Sequence, residues 1–249
     1  MAKTDAPLLV ADGVHRTYGT GRGAVHAVAG VSLVVQAGEV VALMGPSGCG
    51  KSTLLHLLGG LDAPDAGTVL AAGRDWQSLR GRSLAEARRR TCGFVFQNLA
   101  LLAAATAYEN VEVPLVLAGV RASERASRVE AMLELVGVAD KAHHLPDQLS
   151  GGQQQRIGIA RALILDPQLV LADEPTGSLD RDTGQAVIRL LVDVAGQTHA
   201  SVVVVTHDPA VAAHADRTLY LHSGRLTHPG PSPDVAEIGE STGPQELAR

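Results

Sequence analysis

The run Val40-Val41-Ala42-Leu43-Met44 passes directly into Gly45-Pro46-Ser47-Gly48-Cys49-Gly50-Lys51-Ser52, and a helical pattern follows from Lys51 to Gly59. Five consecutive apolar residues leave no polar face for solvent, which predicts a strand buried on both sides, as in a parallel sheet covered by helices. The glycine-rich turn between that strand and the helix matches G-x-x-x-x-G-K-[ST], in the setting the motif requires. Its glycines let backbone N–H groups face phosphate oxygens, and the helix start adds the positive end of its dipole. Lys51 would reach the β and γ phosphates of a nucleoside triphosphate, and Ser52 would ligate Mg²⁺. The binding set runs from Gly45 through Ser52 to Thr53.

The rest of the chain predicts the same class. Residues 8–17 and 24–35 alternate, as at Val31, Leu33 and Val35, and predict half-buried antiparallel strands. Residues 60–96 predict short strands and a basic helix around 85–90, ending in Gly93-Phe94-Val95-Phe96-Gln97. From about 98 to 165 the pattern is helical, with Thr106/Glu109 and Ser150/Gln153 each fitting a capping box. Val129, Met132, Leu133 and Val136 mark an apolar face that stops at Gly137. Strands return at 169–172 and 201–206, each followed by a turn and a helical pattern. This βαβ alternation predicts an α/β fold with a mainly parallel core sheet. Beyond Leu226 the composition shifts to Pro, Gly, Ser and acidic residues, which predicts a mobile tail over 227–249.

Composition narrows the partners. A net charge of −5 makes no electrostatic case for nucleic acid. Cys49 and Cys92 cannot build a disulfide framework and lack metal-ligand spacing, so reduced thiols are expected. His143 and His144 likewise lack metal spacing. The start of the chain lacks the apolar core of a signal peptide, and no run approaches the roughly 20 apolar residues that span a bilayer. Any membrane part is expected from another chain. Lysine occurs only at 3, 51 and 141, so a chain that otherwise uses arginine places a compact ammonium in the phosphate loop.

Between the phosphate loop and the acidic strand end Asp173-Glu174 lies Leu149-Ser150-Gly151-Gly152-Gln153. A given five-residue string arises by chance on the order of 10⁻⁶ per position. Ser150 can cap the following helix, and paired glycines leave its first N–H groups open as an anion site. Glycine also costs a helix interior roughly 1 kcal/mol relative to alanine, so a plain helix start would gain nothing from two of them. Phosphate loop, pentapeptide and acidic strand end, in that order, resemble the ATP-binding cassette (ABC) ATPases over about residues 8–226.

The resemblance implies a P-loop ABC nucleotide-binding domain: a mainly parallel core sheet, an antiparallel β subdomain and an α-helical subdomain at about 98–165. It implies ATP and Mg²⁺ as ligands and ATP hydrolysis as the activity. Asp173 resembles the Mg²⁺-holding carboxylate, and Glu174 the general base that polarises the attacking water. Gln97 resembles the glutamine that senses the γ-phosphate and metal region and links it to the helical part. Asp180, in Ser178-Leu179-Asp180, resembles the loop that communicates across a dimer. His207 resembles the switch histidine on the γ-phosphate. Tyr18 resembles the ring that stacks on adenine, and equally fits a strand residue filling the core. Ser150, Gly151, Gly152 and Gln153 resemble the element that closes over ATP held by a second protomer, which implies an ATP-bound homodimer.

Leu54–Asp62, Glu109-Asn110-Val111, Gln153–Arg156 and Asp173–Gly177 resemble more narrowly the lipoprotein-release, macrolide-efflux, antimicrobial-peptide-resistance and cell-division ATPases. Those work with permeases that carry a large extracytoplasmic domain. The implied place is the cytoplasmic face of the inner or plasma membrane, through such a permease. Two departures stand out: Gly158, where alanine is usual, and Ala103-Ala104-Ala105, where proline is frequent, in the region expected to face the permease. The alternative is a soluble ABC ATPase acting on nucleic acid or ribosomes. Such proteins usually carry tandem cassettes, coiled-coil insertions or zinc-binding cysteines, and this chain shows one set of motifs and two isolated cysteines. A P-loop kinase would have no use for the pentapeptide.

Overall fold

The structure, a computed structural model, describes residues 6–227. Its strands are β1 (Leu9–Tyr18), β2 (Val25–Val35), β3 (Val40–Met44), β4 (Ala66–Ala71), β5 (Arg74–Asp75), β6 (Cys92–Val95), β7 (Leu169–Asp173), β8 (Ser201–Val205), β9 (Arg217–His222) and β10 (Arg225–Thr227). The α-helices are α1 (Lys51–Leu58), α2 (Gly81–Thr91), α3 (Ala107–Leu117), α4 (Ala122–Leu135), α5 (Gly151–Leu163), α6 (Arg181–Gln197) and α7 (Pro209–Ala212). The tail expected over 227–249 lies outside the described residues except for Thr227, which pairs with Tyr220 and so belongs to a strand. The stretch expected to be helical from 98 enters its first helix only at Ala107.

Two sheets form. An antiparallel one runs β2-β1-β4-β5, and a larger one runs β10-β9-β3-β8-β7-β6. In the larger sheet β6, β7, β8, β3 and β9 are parallel, and β10 alone turns back. The continuous apolar runs follow from burial on both faces. Ala42, Val170, Ala172, Val202 and Val204 face the core under α3–α6, while Val41, Leu43, Leu169, Leu171, Val203 and Val205 face the core shared with α1 and the antiparallel sheet. No helix among the described residues is long and apolar enough to cross a membrane.

Both expected capping boxes form. The Thr106 hydroxyl accepts from the Glu109 N–H, and the Glu109 carboxylate accepts from the Thr106 N–H at 2.7 Å. That backbone bond, followed by the bond from the Thr106 hydroxyl, holds the Glu109 carboxyl below its ordinary pKa. Replacing Thr106 by alanine should cost about 1 kcal/mol, or about 2–4 °C in the thermal midpoint. A depressed carboxyl stabilises the fold above its unfolded pKa, and that contribution is lost as pH falls through the folded one. Alanine keeps the backbone N–H bond and loses only the hydroxyl bond, so the part of its deficit owed to that hydroxyl should shrink in acid, which thermal melts across that range would measure.

Candidate active site

The phosphate loop occupies residues 45–50, between β3 and α1. Gly45 (φ 153°) and Gly50 (φ 104°) hold backbone angles that side chains rarely adopt. A Cβ at Gly45 would lie 2.1 Å from the Leu221 carbonyl oxygen, and one at Gly50 would lie 1.9 Å from that of Ala27. The loop is thus pressed between backbone from both sheets. Lys51 is only 6% exposed, and its ammonium donates to the Gly45 carbonyl at 2.8 Å and the Pro46 carbonyl at 2.9 Å. These charge-assisted bonds bend the loop around the lysine.

The carboxyl end of β7 brings its carboxylates to the loop. The Ser52 hydroxyl donates to Asp173 Oδ1 at 3.1 Å across 121 residues of sequence. One hydroxyl and one carboxylate are hard oxygen donors, few in number, and fit Mg²⁺, which keeps most of its shell for water and phosphate.

Glu174 takes φ +43°, an uncommon angle for a non-glycine residue. Two backbone bonds hold it there: its N–H donates to the Val205 carbonyl at 3.0 Å, and the Gly177 N–H donates to its own carbonyl at 3.1 Å. The turn aims the side chain at His207, with Nδ1 and Oε2 3.0 Å apart. The end of β8 is fixed as well, the Thr206 N–H donating to the Leu43 carbonyl at 3.1 Å. Gln97, just past β6, shares this corner. A Cβ on Gly177 would lie 3.4 Å from Glu174 Oε2 and 3.6 Å from Gln97 Nε2. Glu174, Thr176, Gly177, Leu179, Arg181, Thr206, His207 and Asp208 line an open cleft of about 390 Å³.

Tyr18 closes β1 and is 42% exposed, so it does not fill the core. Its hydroxyl donates to Asp62 at 2.9 Å, and the Arg16 guanidinium lies 4.9 Å from the ring centroid. Its strand partner is Val25, two residues from the Ala27 carbonyl that faces Gly50.

The pentapeptide starts α5 with the expected reciprocal cap: the Gln153 N–H donates to Ser150 Oγ at 3.3 Å, and the Ser150 N–H donates to Gln153 Oε1 at 2.9 Å. Among the described residues no hydrogen bond joins it to Lys51, Asp173, Glu174 or His207. Asp180 stands apart from them too, capping α6 by accepting from the Thr183 N–H at 3.0 Å. That bond and the Thr183 hydroxyl hold the Asp180 carboxyl below its ordinary pKa. The two glycines at the start of α5 answer to more than an open anion site. A Cβ on Gly151 would meet Leu179 Cδ2 at 3.1 Å, and one on Gly152 would meet Thr183 Cγ2 at 2.6 Å. Packing inside the chain is thus a second reason for both glycines.

Residues given no structural role from sequence hold the loop after Gln97. Arg161 donates to the carbonyls of Leu99 and Ala100, and the buried Asn110 amide bonds Leu102, Ala105 and Thr106. Burial lowers the Arg161 pKa. Gly158, where alanine is usual, lets Leu99 approach, since a Cβ there would lie 3.0 Å from Leu99 Cδ2. None of these contacts has a signal in local sequence.

Comparison with known proteins draws the same picture. Residues 28–177 match the family model described as ABC transporter. The chain is 48% identical over 220 residues to the macrolide export ATP-binding/permease protein MacB of Marinobacter nauticus, covering 88% of this chain and 34% of that protein. The corresponding Salmonella choleraesuis protein is 45% identical over 219 residues, again 88% of this chain and 34% of the relative. The chain therefore spans about a third of the length of the curated relatives it matches. Among solved structures, the ATP-binding cassette MJ0796, described as a dimer in a post-hydrolysis state bound to ADP and Pi, superposes with TM-score 0.82 at 40% identity. That match covers 88% of this chain and 97% of the other. CbiO1 of Clostridium perfringens, part of an ABC transporter complex, superposes with TM-score 0.81 at 27% identity, covering 90% and 88%.

Proposed function

The chain belongs to the ABC transporter family and is an ABC-type ATPase cassette, and from that premise we propose that two copies close around ATP to drive a membrane permease. The observation that carries this reading is the meeting of Lys51, Ser52, Asp173, Glu174 and His207 at the ends of β3, β7 and β8. The folded unit is one ABC domain over about residues 8–226, with 98–165 as its helical part.

In the proposed cycle the loop Gly45–Ser52 and Thr53 cradle the phosphates, with Lys51 exchanging loop carbonyls for phosphate oxygens. Tyr18 stacks on adenine. Ser52 and Asp173, with Gln97 nearby, hold Mg²⁺, which when bound offsets charge on the β and γ phosphates. Glu174 accepts the proton of the attacking water, and His207 holds the carboxylate and contacts the γ-phosphate. Ser150, Gly151, Gly152 and Gln153 of one protomer, beside Asp180, cap the ATP of the other. ATP favours the closed state because both protomers contact it there, so hydrolysis removes that bridge and lets the dimer reopen.

The work is delivered to an integral membrane permease with a large extracytoplasmic domain, for export or mechanotransmission, at the cytoplasmic face. MacB's combination of ATP-binding and permease parts supports that coupling over action on nucleic acid or ribosomes.

Complementation tests the shared site. Lys51→Ala and Ser150→Arg chains should each be inactive. Mixed together, they should recover up to about a quarter of wild-type turnover, since half the dimers would own one intact composite site. No recovery, with mixed dimers demonstrated, would show that each chain uses only its own elements. Purification from membranes should bring down an integral membrane protein; RNA in its place would favour the alternative.

A further inference from the structure

The α5 and α6 N-termini abut inside one chain, and the contact is made by side-chain absence on one helix and a branched side chain on the other. A Cβ on Gly152 would lie 2.6 Å from Thr183 Cγ2, closer than real Cβ atoms approach. Thr183 cannot easily rotate away. Its N–H donates to Asp180 Oδ1 at 3.0 Å, which ties its backbone into the α6 cap. The backbone that carries it is fixed at the α6 cap, and a β-branched side chain has few χ1 wells to choose from. One turn earlier, Leu179 Cδ2 fills the matching position over Gly151, at 3.1 Å from where a Cβ would be. Leu179 also lines the cleft beside Glu174 and His207.

We propose that Thr183 is a positioning residue: through Gly152 it sets where Ser150 and the first amides of α5 stand relative to the Asp180 loop. The second glycine of the pentapeptide is then required by this chain's own α6, apart from any demand made by a nucleotide. This deepens the composite-site reading and rests on it for its effect on turnover, while the packing itself stands on the geometry alone. A methyl at position 152 would push α5 away from Thr183, and an anion site built from backbone N–H groups loses its aim with small displacements.

The decisive experiment is rescue. Gly152→Ala should lower ATP turnover at least about 10-fold and reduce ATP-driven dimer formation, with the thermal midpoint down by about 4 °C. Thr183→Ser removes Cγ2 and keeps both the hydroxyl and the backbone N–H that bonds Asp180. Added to the Gly152→Ala chain, it should restore most of the turnover, the dimer and the midpoint. ATP affinity of the isolated protomer, read with a fluorescent nucleotide, should stay level throughout. If the double variant is as impaired as Gly152→Ala alone, the proposal is overturned, and glycine is needed only for access of the nucleotide. If wild type itself neither hydrolyses ATP nor dimerises, the composite-site reading fails. The midpoint then still decides the packing: recovery with Thr183→Ser upholds it, and no recovery removes it.

Discussion

A Glu174→Gln chain should bind ATP like the parent, hydrolyse it at least ~100-fold more slowly, and accumulate as a dimer with Mg-ATP. The geometry isolates the chemical effect. Glutamine has the same shape, so the turn at φ +43°, held by bonds to Val205 and Gly177, is unaffected. An amide oxygen can still accept from His207, which stands 3.0 Å from Glu174 Oε2. What is lost is the carboxylate that can take a proton. With hydrolysis blocked, nothing removes the γ-phosphate, and the closed state persists. Phosphate release and light scattering on a sizing column read the two effects. A variant that stays monomeric with saturating Mg-ATP, with the proposed membrane partner present, would rule out the shared site. One that keeps full turnover would remove Glu174 from the role of base.

Lys51→Ala should lose ATP affinity by at least about 100-fold, because hydrogen bonds to charged groups contribute about 1.5–3 kcal/mol each and the ammonium has three donors. The alanine chain should also be less ordered in its loop. Two carbonyls, of Gly45 and Pro46, lose the donor 2.8 and 2.9 Å away that bends the loop around it. Lys51→Arg should not restore binding, since a planar fork cannot occupy a space built for a buried ammonium. Titration with a fluorescent nucleotide checks both variants. Unchanged affinity in the alanine chain would take Lys51 out of the phosphate site.

What could be read from sequence divides by the range of the contact that causes it. The strand at Val40–Met44, the phosphate loop, the buried runs of β7 and β8, and both capping boxes announce themselves within a few residues, through periodicity or a fixed offset. The 98–106 stretch misleads because its order is imposed from elsewhere, by Arg161 about 60 residues on and by the buried Asn110 amide. The reason for Gly152 is hidden for the same cause: Thr183 is one residue among many until the two helices meet. Tyr18 left two readings open, and only its exposure decides against the core. The left-handed turn at Glu174 has no local mark, since glutamate at such a turn is unusual.

The three strand ends that carry the site are tied crosswise, Glu174 to Val205 and Thr206 to Leu43, by single backbone bonds. The backbone that carries those side chains therefore cannot shift without pulling on a neighbouring strand, and the sheet behind it is packed on both faces. Lys51, Asp173, Glu174 and His207 form an anvil, with no hinge of its own. Beyond side-chain exchange such as that proposed for Lys51, larger movement on nucleotide binding is expected elsewhere: α5 with its glycine start, and the loop after Gln97 that leans on it through Arg161. In the proposed cycle the chemistry then sits on a fixed frame, and travel falls to the parts proposed to meet a partner.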